Sequence, residues 1–356
     1  MPLQIDVWAQ TAGLGHVTRQ IALMRALIQM RLTDTTHIAF FVDADVAVQQ
    51  TVANAGMKFF VRPTQLEQAA QAMQRRWRAR PPDLFVLDSV AYDRVPAVAA
   101  LLEQKNIVSL AVIDDPLNRA VNADFVVNPL PTLTNAPPPL SAARAKKMTA
   151  PKYLLGKDFF ILAPEFAEWH VRPRDFSERA TRAFAFFGGA DGNNFTPIFF
   201  DVAQQLHDIE WTLLIGALYP HTQWALQKIR ERKLPITPVF GIPSIGQIFS
   251  ETDLALVAAG NTLVEAAAAG APAIAFAQNE IQMENANYFA KTCQLPCLGL
   301  YNTFGANETI SAIRWLSENR AARAELSRAL KRQIDGRAAM RVAEALGAYC
   351  ARQNGV

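Results

Sequence analysis

A chain of 356 residues, half of them apolar and about a fifth charged, is too long for one comfortable core and too hydrophobic for disorder. Two domains of roughly 150–200 residues each, of an ordinary α/β kind, are expected. A net charge of +3, on lysines and arginines scattered without aromatic interleaving, argues against nucleic acid as a partner.

Strand-like runs rich in β-branched and aromatic residues open the chain: "IDVWAQ", "HIAFFVD", "KFFVRP", "DLFVLD", "SLAVIDD" and "DFVVNP". Helix-length segments separate the first five, which predicts a parallel sheet covered on both faces. The first strand runs into "TAGLGHVTRQ". Gly13 and Gly15 there lead into a helix with an apolar face at Ile21, Met24, Leu27 and Ile28, so its first amides can face an anion. A dinucleotide loop would need a third glycine where Thr18 stands, and no acid follows at the usual spacing. His16, at the mouth of this loop, is placed either to accept a proton or simply to cap the helix. Asp88, Asp114 and Asp115 end later strands, as pocket-lining groups or as caps, and they are too few for a metal site, so none is expected.

The alternation breaks at "NPLPTLTNAPPPLSAARAKKM", where prolines forbid regular structure. A second series of strands then follows: "AFAFFGGAD", "WTLLIGA", "ITPVFG", "LALVAA", "APAIAFA" and "CLGLYN". In "FGGADGNN", Gly188 and Gly189 follow a strand, while Asp191, Asn193 and Asn194 can bond either a ligand or their own backbone. In "AAGNTLVEAAAAGAPAIAF" a small-residue turn enters a helix through Asn261 and Thr262, a shape that lets a pyrophosphate approach the amides. Glu265 lies one turn further on, as a ribose-hydroxyl acceptor or as a favourable first-turn charge. Gln282 and Asn285 of "QNEIQMENANYF" are three apart and can face one ligand, and neutral amides suit sugar hydroxyls and acetamido groups.

The longest apolar stretch, 254–277, is interrupted by Asn261, Thr262, Glu265, Gly270 and Pro272, so no transmembrane segment is expected and the compartment reads as cytoplasmic. Cys293, Cys297 and Cys350 lack partners for a zinc site and read as reduced and buried. From about 307 onward the pattern is helical. The expected organisation is α/β and GT-B-like, two facing doubly wound, Rossmann-like domains with a C-terminal helical tail. The first spans 1–166, a linker 167–183, the second 184–335, and the helix 336–356 crosses back.

Six motifs, in order, resemble the GT-B nucleotide-sugar enzymes, and most closely the UDP-diacetamido-trideoxy-altropyranose hydrolases of pseudaminic acid biosynthesis. They are "GLGHVTR", "IDDPLNR", "YLLGKDFFILAPEF", "FGGADGNN", "AAGNTLVEAAAAGAPAIAF" and "QMENANYF". The resemblance implies a UDP-sugar substrate and no cofactor. Uracil would lie near the backbone of Ile245 and ribose at Glu265. The pyrophosphate would lie at Ala259, Gly260, Asn261, Thr262 and the Gly188–Gly189 loop with Asp191. The sugar would meet Gln282, Asn285, Gly13, Gly15, Asp88 and Tyr92, and Arg19 would meet either the leaving phosphates or an aspartate. His16 matches the residue that activates the attacking water, with inversion and without a metal. Two departures concern the sugar and water side: Val90 stands where those hydrolases have a tyrosine, with Tyr92 nearby, and Ile281 stands where they have an asparagine. Glycosyltransferases of the same fold share the nucleotide half, so transfer to a glycan, lipid or protein hydroxyl is the alternative, with the 137–147 loop helping to bind that acceptor.

Overall fold

The computed structural model describes residues 1–9, 14–89, 95–104, 106–115, 119, 121–131, 133, 152–242 and 244–353. Gly13, Val90, Tyr92 and the proposed acceptor loop at 137–147 lie outside them. The chain divides into two compact units, Met1–Pro164 with Arg337–Val356, and Glu165–Gly336.

The first unit begins β1 (Ile5–Ala9), α1 (Leu14–Gln29), β2 (Ile38–Val42), α2 (Val46–Asn54), β3 (Lys58–Val61) and α3 (Leu66–Ala79). It continues β4 (Leu84–Asp88), α4 (Pro96–Leu102), β5 (Val108–Val112), β6 (Phe125–Asn128) and β7 (Lys152–Leu155). Its sheet is parallel, in the order β3-β2-β1-β4-β5-β6-β7. The strands β1, β2, β4 and β6 are buried along their whole length, because helices cover both faces; the edge strand β3 is largely exposed. Adjacent residues serve opposite faces: Val7 joins Phe40 and Val86 on one side, Trp8 joins Phe41 and Phe85 on the other. The strand β7 has no counterpart among the expected strands. Its run, "KYLL", is short and follows the proline-rich break, which hid its period.

The second unit runs α5 (Glu165–Val171), β8 (Arg182–Phe186), α6 (Thr196–Gln205), β9 (Glu210–Leu214), α7 (Thr222–Glu231) and β10 (Ile236–Val239). Then come α8 (Ile245–Glu251), β11 (Leu254–Ala258), α9 (Asn261–Ala269), β12 (Ala273–Ala277), α10 (Glu280–Cys293), β13 (Cys297–Leu300), α11 (Ala306–Glu318) and α12 (Arg320–Gln333). Its parallel sheet has the order β10-β9-β8-β11-β12-β13. The final helix, α13 (Ala338–Gln353), belongs to the first unit, where Ala339, Val342, Ala343 and Leu346 join the core under α1.

The stretch expected as a linker, 167–183, is part of the second unit. Arg174 donates to the carbonyls of Phe249 and Thr252 at 2.5 Å each, which satisfies orphan acceptors at the end of α8. Buried Arg323 likewise donates to the carbonyls of Leu316, Ser317 and Ser177. Backbone carbonyls held by arginines fasten the stretch between α5 and β8, which has no strand or hydrophobic period of its own. No helix among the described residues is long and apolar enough to cross a membrane.

Both sheets reverse direction of strand addition once, between β1 and β4 and between β8 and β11. In open α/β sheets ligands bind outside the carboxyl ends of the strands where that reversal occurs.

Candidate active site

In the first unit, the strand-end group at the reversal is built around Asp88. It is the last residue of β4, in register with Ala9 of β1, and fully buried. Helix α1 starts at Leu14, so Gly15 and His16 sit in its first turn, with Arg19 and Gln20 one turn on. Four donors converge on the Asp88 carboxylate. Arg19 gives Nε to Oδ2 and a terminal nitrogen to Oδ1, both at 2.6 Å. Gln20 Nε2 donates to Oδ2 at 2.8 Å, and His16 Nδ1 lies 2.7 Å from Oδ1. The other terminal nitrogen of Arg19 reaches Asp114 at 3.0 Å.

Burial alone would raise the pKa of Asp88, but Arg19 and His16 outweigh it and hold the carboxyl well below the usual range. Burial would likewise weaken the Arg19 cation, and the charges of Asp114 and Asp88 outweigh that, so it stays protonated. A guanidinium only donates and a carboxylate only accepts, so His16 Nδ1, which also lies 3.1 Å from Arg19, can serve only one of them. The shorter contact to Asp88 assigns the proton to Nδ1 and the lone pair to Nε2. Nε2 has no hydrogen-bond partner among the described residues, and the ring keeps 21% of its surface exposed. The arrangement is an imidazole with a fixed tautomer and, among the described residues, an unpartnered Nε2, which is the geometry a general base requires.

Two expected sugar-side or phosphate-side contacts are therefore corrected. Asp88 is fully buried beneath the imidazole and cannot line a pocket. Arg19 is only 4% exposed and takes the aspartate alternative, because two carboxylates surround it. Asp115 pairs with Arg119.

In the second unit, the glycine loop after β8 is shaped by backbone contact. Gly188 has φ +90°, a conformation that favours glycine. Gly216, in the loop after β9, approaches so closely that a Cβ there would lie 2.2 Å from the Gly189 carbonyl oxygen, and Leu218 N–H donates to that oxygen at 2.9 Å. Phe187, just before the loop, packs with its ring centroid 5.0 Å from Phe195, 5.4 Å from Phe199 and 5.7 Å from Phe276. These aromatics lock the loop's root. Asp191, expected at the nucleotide, has both oxygens engaged at the start of α6: Oδ1 accepts from Phe195 N–H, and Oδ2 from the N–H and hydroxyl of Thr196. It is a helix cap for α6, with both oxygens turned to the start of that helix.

Polar side chains tie the strand-end loops together. Gln278 Nε2 donates to the Phe187 carbonyl at 2.6 Å, and its N–H donates to Gln282 Oε1 at 3.0 Å. Asn193 donates to the Gln278 carbonyl at 2.8 Å and buried Asn285 to the Ala259 carbonyl at 3.2 Å. A Cβ on Gly260 would meet the Gln282 amide at 3.4 Å. Gly188, Gly189, Ala259, Gly260, Asn261, Thr262, Gln282 and Asn285 thus come to one edge of this sheet.

Gly260 precedes α9 and gives it no side-chain cap, whereas α8 and α10 are capped by Ser244 and Asn279. No side chain of the N-cap residue competes for the amides that open α9, and Leu263 N–H donates to the Gly260 carbonyl at 3.2 Å. In the second turn of α9, half-buried Glu265 has no hydrogen bond or ion pair among the described residues. Burial, with the charge of Glu165 nearby, pushes its carboxyl up to about 7. Glu165 itself accepts from Ser244 at 2.7 Å, and the Trp169 indole lies against Gly246, where a Cβ would be 2.6 Å away. Ile245 is therefore held between two residues that α5 pins.

Sequence reasoning missed Glu165, Trp169, Gly216 and Gln278. The spacing of Phe166 and Trp169 is a helical signal, and Gly216 follows a strand as Gly188 does. Among the described residues no group of three or more side chains suited to a metal ion comes together.

No family model matches the chain. A curated relative, an uncharacterized protein of Methanocaldococcus jannaschii, is 23% identical over 283 residues, 76% of this chain and 54% of its own length. The chain thus spans about half the length of that relative. Among solved structures, MurG of Acinetobacter baumannii is similar with a TM-score of 0.65 at 15% identity, covering 98% of this chain and 100% of its own. The spinosyn forosaminyltransferase SpnP gives 0.64 at 11%, covering 99% and 100%. Anabaena HepE, solved in complex with UDP-glucose, gives 0.61 at 12%, covering 97% and 100%. The likeness extends over the whole chain and shows the fold, two Rossmann-like units of the GT-B kind.

Proposed function

We propose that the protein is a glycosyltransferase that moves a sugar from a UDP-sugar to an acceptor hydroxyl. The observation that carries the reading is Glu265: a half-buried carboxyl group without a hydrogen bond or ion pair among the described residues, one turn into a helix whose N-cap is a glycine with no side chain. Vicinal ribose hydroxyls satisfy both its oxygens, and the pyrophosphate faces the opening amides and partial positive charge of α9. The names of the similar structures support a nucleotide-sugar donor and favour transfer over the hydrolysis first expected.

In this reading His16 Nε2 takes the proton of the acceptor hydroxyl as its oxygen attacks the anomeric carbon. The bond from that carbon to the phosphate oxygen breaks with inversion, its electron pair leaves on UDP, and the amides of α9 stabilise that charge. Asp88 holds the ring and stabilises the imidazolium that forms. Water in the acceptor's place gives the hydrolase reading, favoured by the "GLGHVTR" and "QMENANYF" motifs. A UDP-release screen over nucleotide sugars, with and without glycan, lipid and peptide acceptors, separates them: release that needs an acceptor supports transfer, and full release in water alone supports hydrolysis.

A further inference from the structure

The grip on Asp88 is stronger than aiming a histidine requires. A single buried hydrogen bond from His16 would fix the ring, yet a guanidinium takes one nitrogen to each carboxylate oxygen and Gln20 adds another donor. Fork-to-fork contact of this kind fixes both rotation and tilt of a carboxylate. The charges are also set out unequally. From α1 comes Arg19, from β4 comes Asp88, and from the turn after β5 comes Asp114, while Asp115 is taken up by Arg119. Among the described residues two carboxylates share one guanidinium, so this cluster carries one net negative charge.

We propose that Arg19 is a positioning residue for His16: it holds Asp88 in the one orientation that aims Nε2 outward, and with Asp114 it sets how much of the Asp88 charge the imidazole feels. The inference rests on His16 being the base. Without Arg19 the imidazole faces carboxylates that no guanidinium compensates, and it holds its proton more tightly. Without Asp114 it faces a neutral pair and gives its proton up at lower pH.

Titration of the His16 ring by NMR in the unliganded protein tests this without any assay of turnover. In Arg19→Met the midpoint is expected to rise by about one pH unit, within the range one neighbouring charge produces. Arg19→Met with Asp114→Asn is expected to return it toward the wild type, and Arg19→Lys to leave it nearly in place. In turnover, Arg19→Lys is expected to lose about tenfold or more in kcat with the donor KM within about twofold, because charge is kept and the two-armed grip is lost. Asp114→Asn, which removes a partly exposed group, is expected to lower the midpoint and serves if Arg19→Met does not fold. A midpoint that stays at the wild-type value in Asp114→Asn and in folded Arg19→Met would overturn the proposal. If wild-type protein releases no UDP from any donor, the functional reading fails, while the ring titration still decides the role of Arg19.

Discussion

Glu265 gathers the nucleotide-side argument into one titratable group. Its carboxyl sits near 7, raised by burial and by Glu165, so near neutrality it is divided between two forms. Only the carboxylate accepts from two hydroxyls, so binding draws its proton off. Affinity for UDP-glucose, whose esterified pyrophosphate does not titrate near neutrality, is expected to rise with pH up to about 7 and level off above it. Below that point the slope is up to about tenfold per pH unit. Glu265→Gln flattens the profile and weakens binding, which calorimetry across the neutral range checks. The sign for the empty protein is opposite. A carboxyl raised from 4.5 to about 7 costs stability as pH rises between those values, and the cost is complete above 7. At this scale the sequence was informative but ambiguous. It placed His16 and Asp88 at strand ends and Arg19 one turn beyond His16, yet only the distances show that the three side chains meet. Asp191 was expected at the nucleotide and is seen to cap α6, because a cap and a ligand group use the same residue types.

The loops that make the nucleotide edge are held by elements, and here Gly216 is the sensitive point. It has no room for a side chain, since a Cβ would collide with the Gly189 carbonyl. Gly216→Ala is expected to push the Gly188–Gly189 loop out of place and weaken UDP-glucose binding about tenfold or more, the effect of losing a backbone hydrogen bond and a close approach together. Differential scanning fluorimetry with and without the nucleotide sugar checks this: the variant loses most of its ligand-induced shift. The strands around this loop were legible because parallel strands buried on both faces read as continuous apolar runs. The helix α5 was not, since seven residues give too little period to separate a helix from a linker.

Across the molecule, the proposed function divides the tasks between two doubly wound units: it puts the base in the first and the nucleotide-side groups in the second. Hydrogen exchange in the presence of UDP-glucose is expected to slow at the start of α9, at 188–189 and at 216–218, with far smaller change around β4 and α1. Equal protection of both units would contradict that division. The two-domain fold was readable from alternation alone, whereas the membership of 167–183 was not. Backbone carbonyls bound by Arg174 and Arg323 attach 167–183 to the second unit, and such bonds leave no pattern in a sequence. The central claim is transfer from a UDP-sugar with His16 as base, and UDP release with and without acceptors, in wild type and His16→Asn, tests it most directly. The account predicts release that depends on an acceptor and falls by about a hundredfold or more in the variant, the scale of general-base catalysis. Acceptor-dependent release that His16→Asn leaves unchanged, or no release from any UDP-sugar, would contradict it.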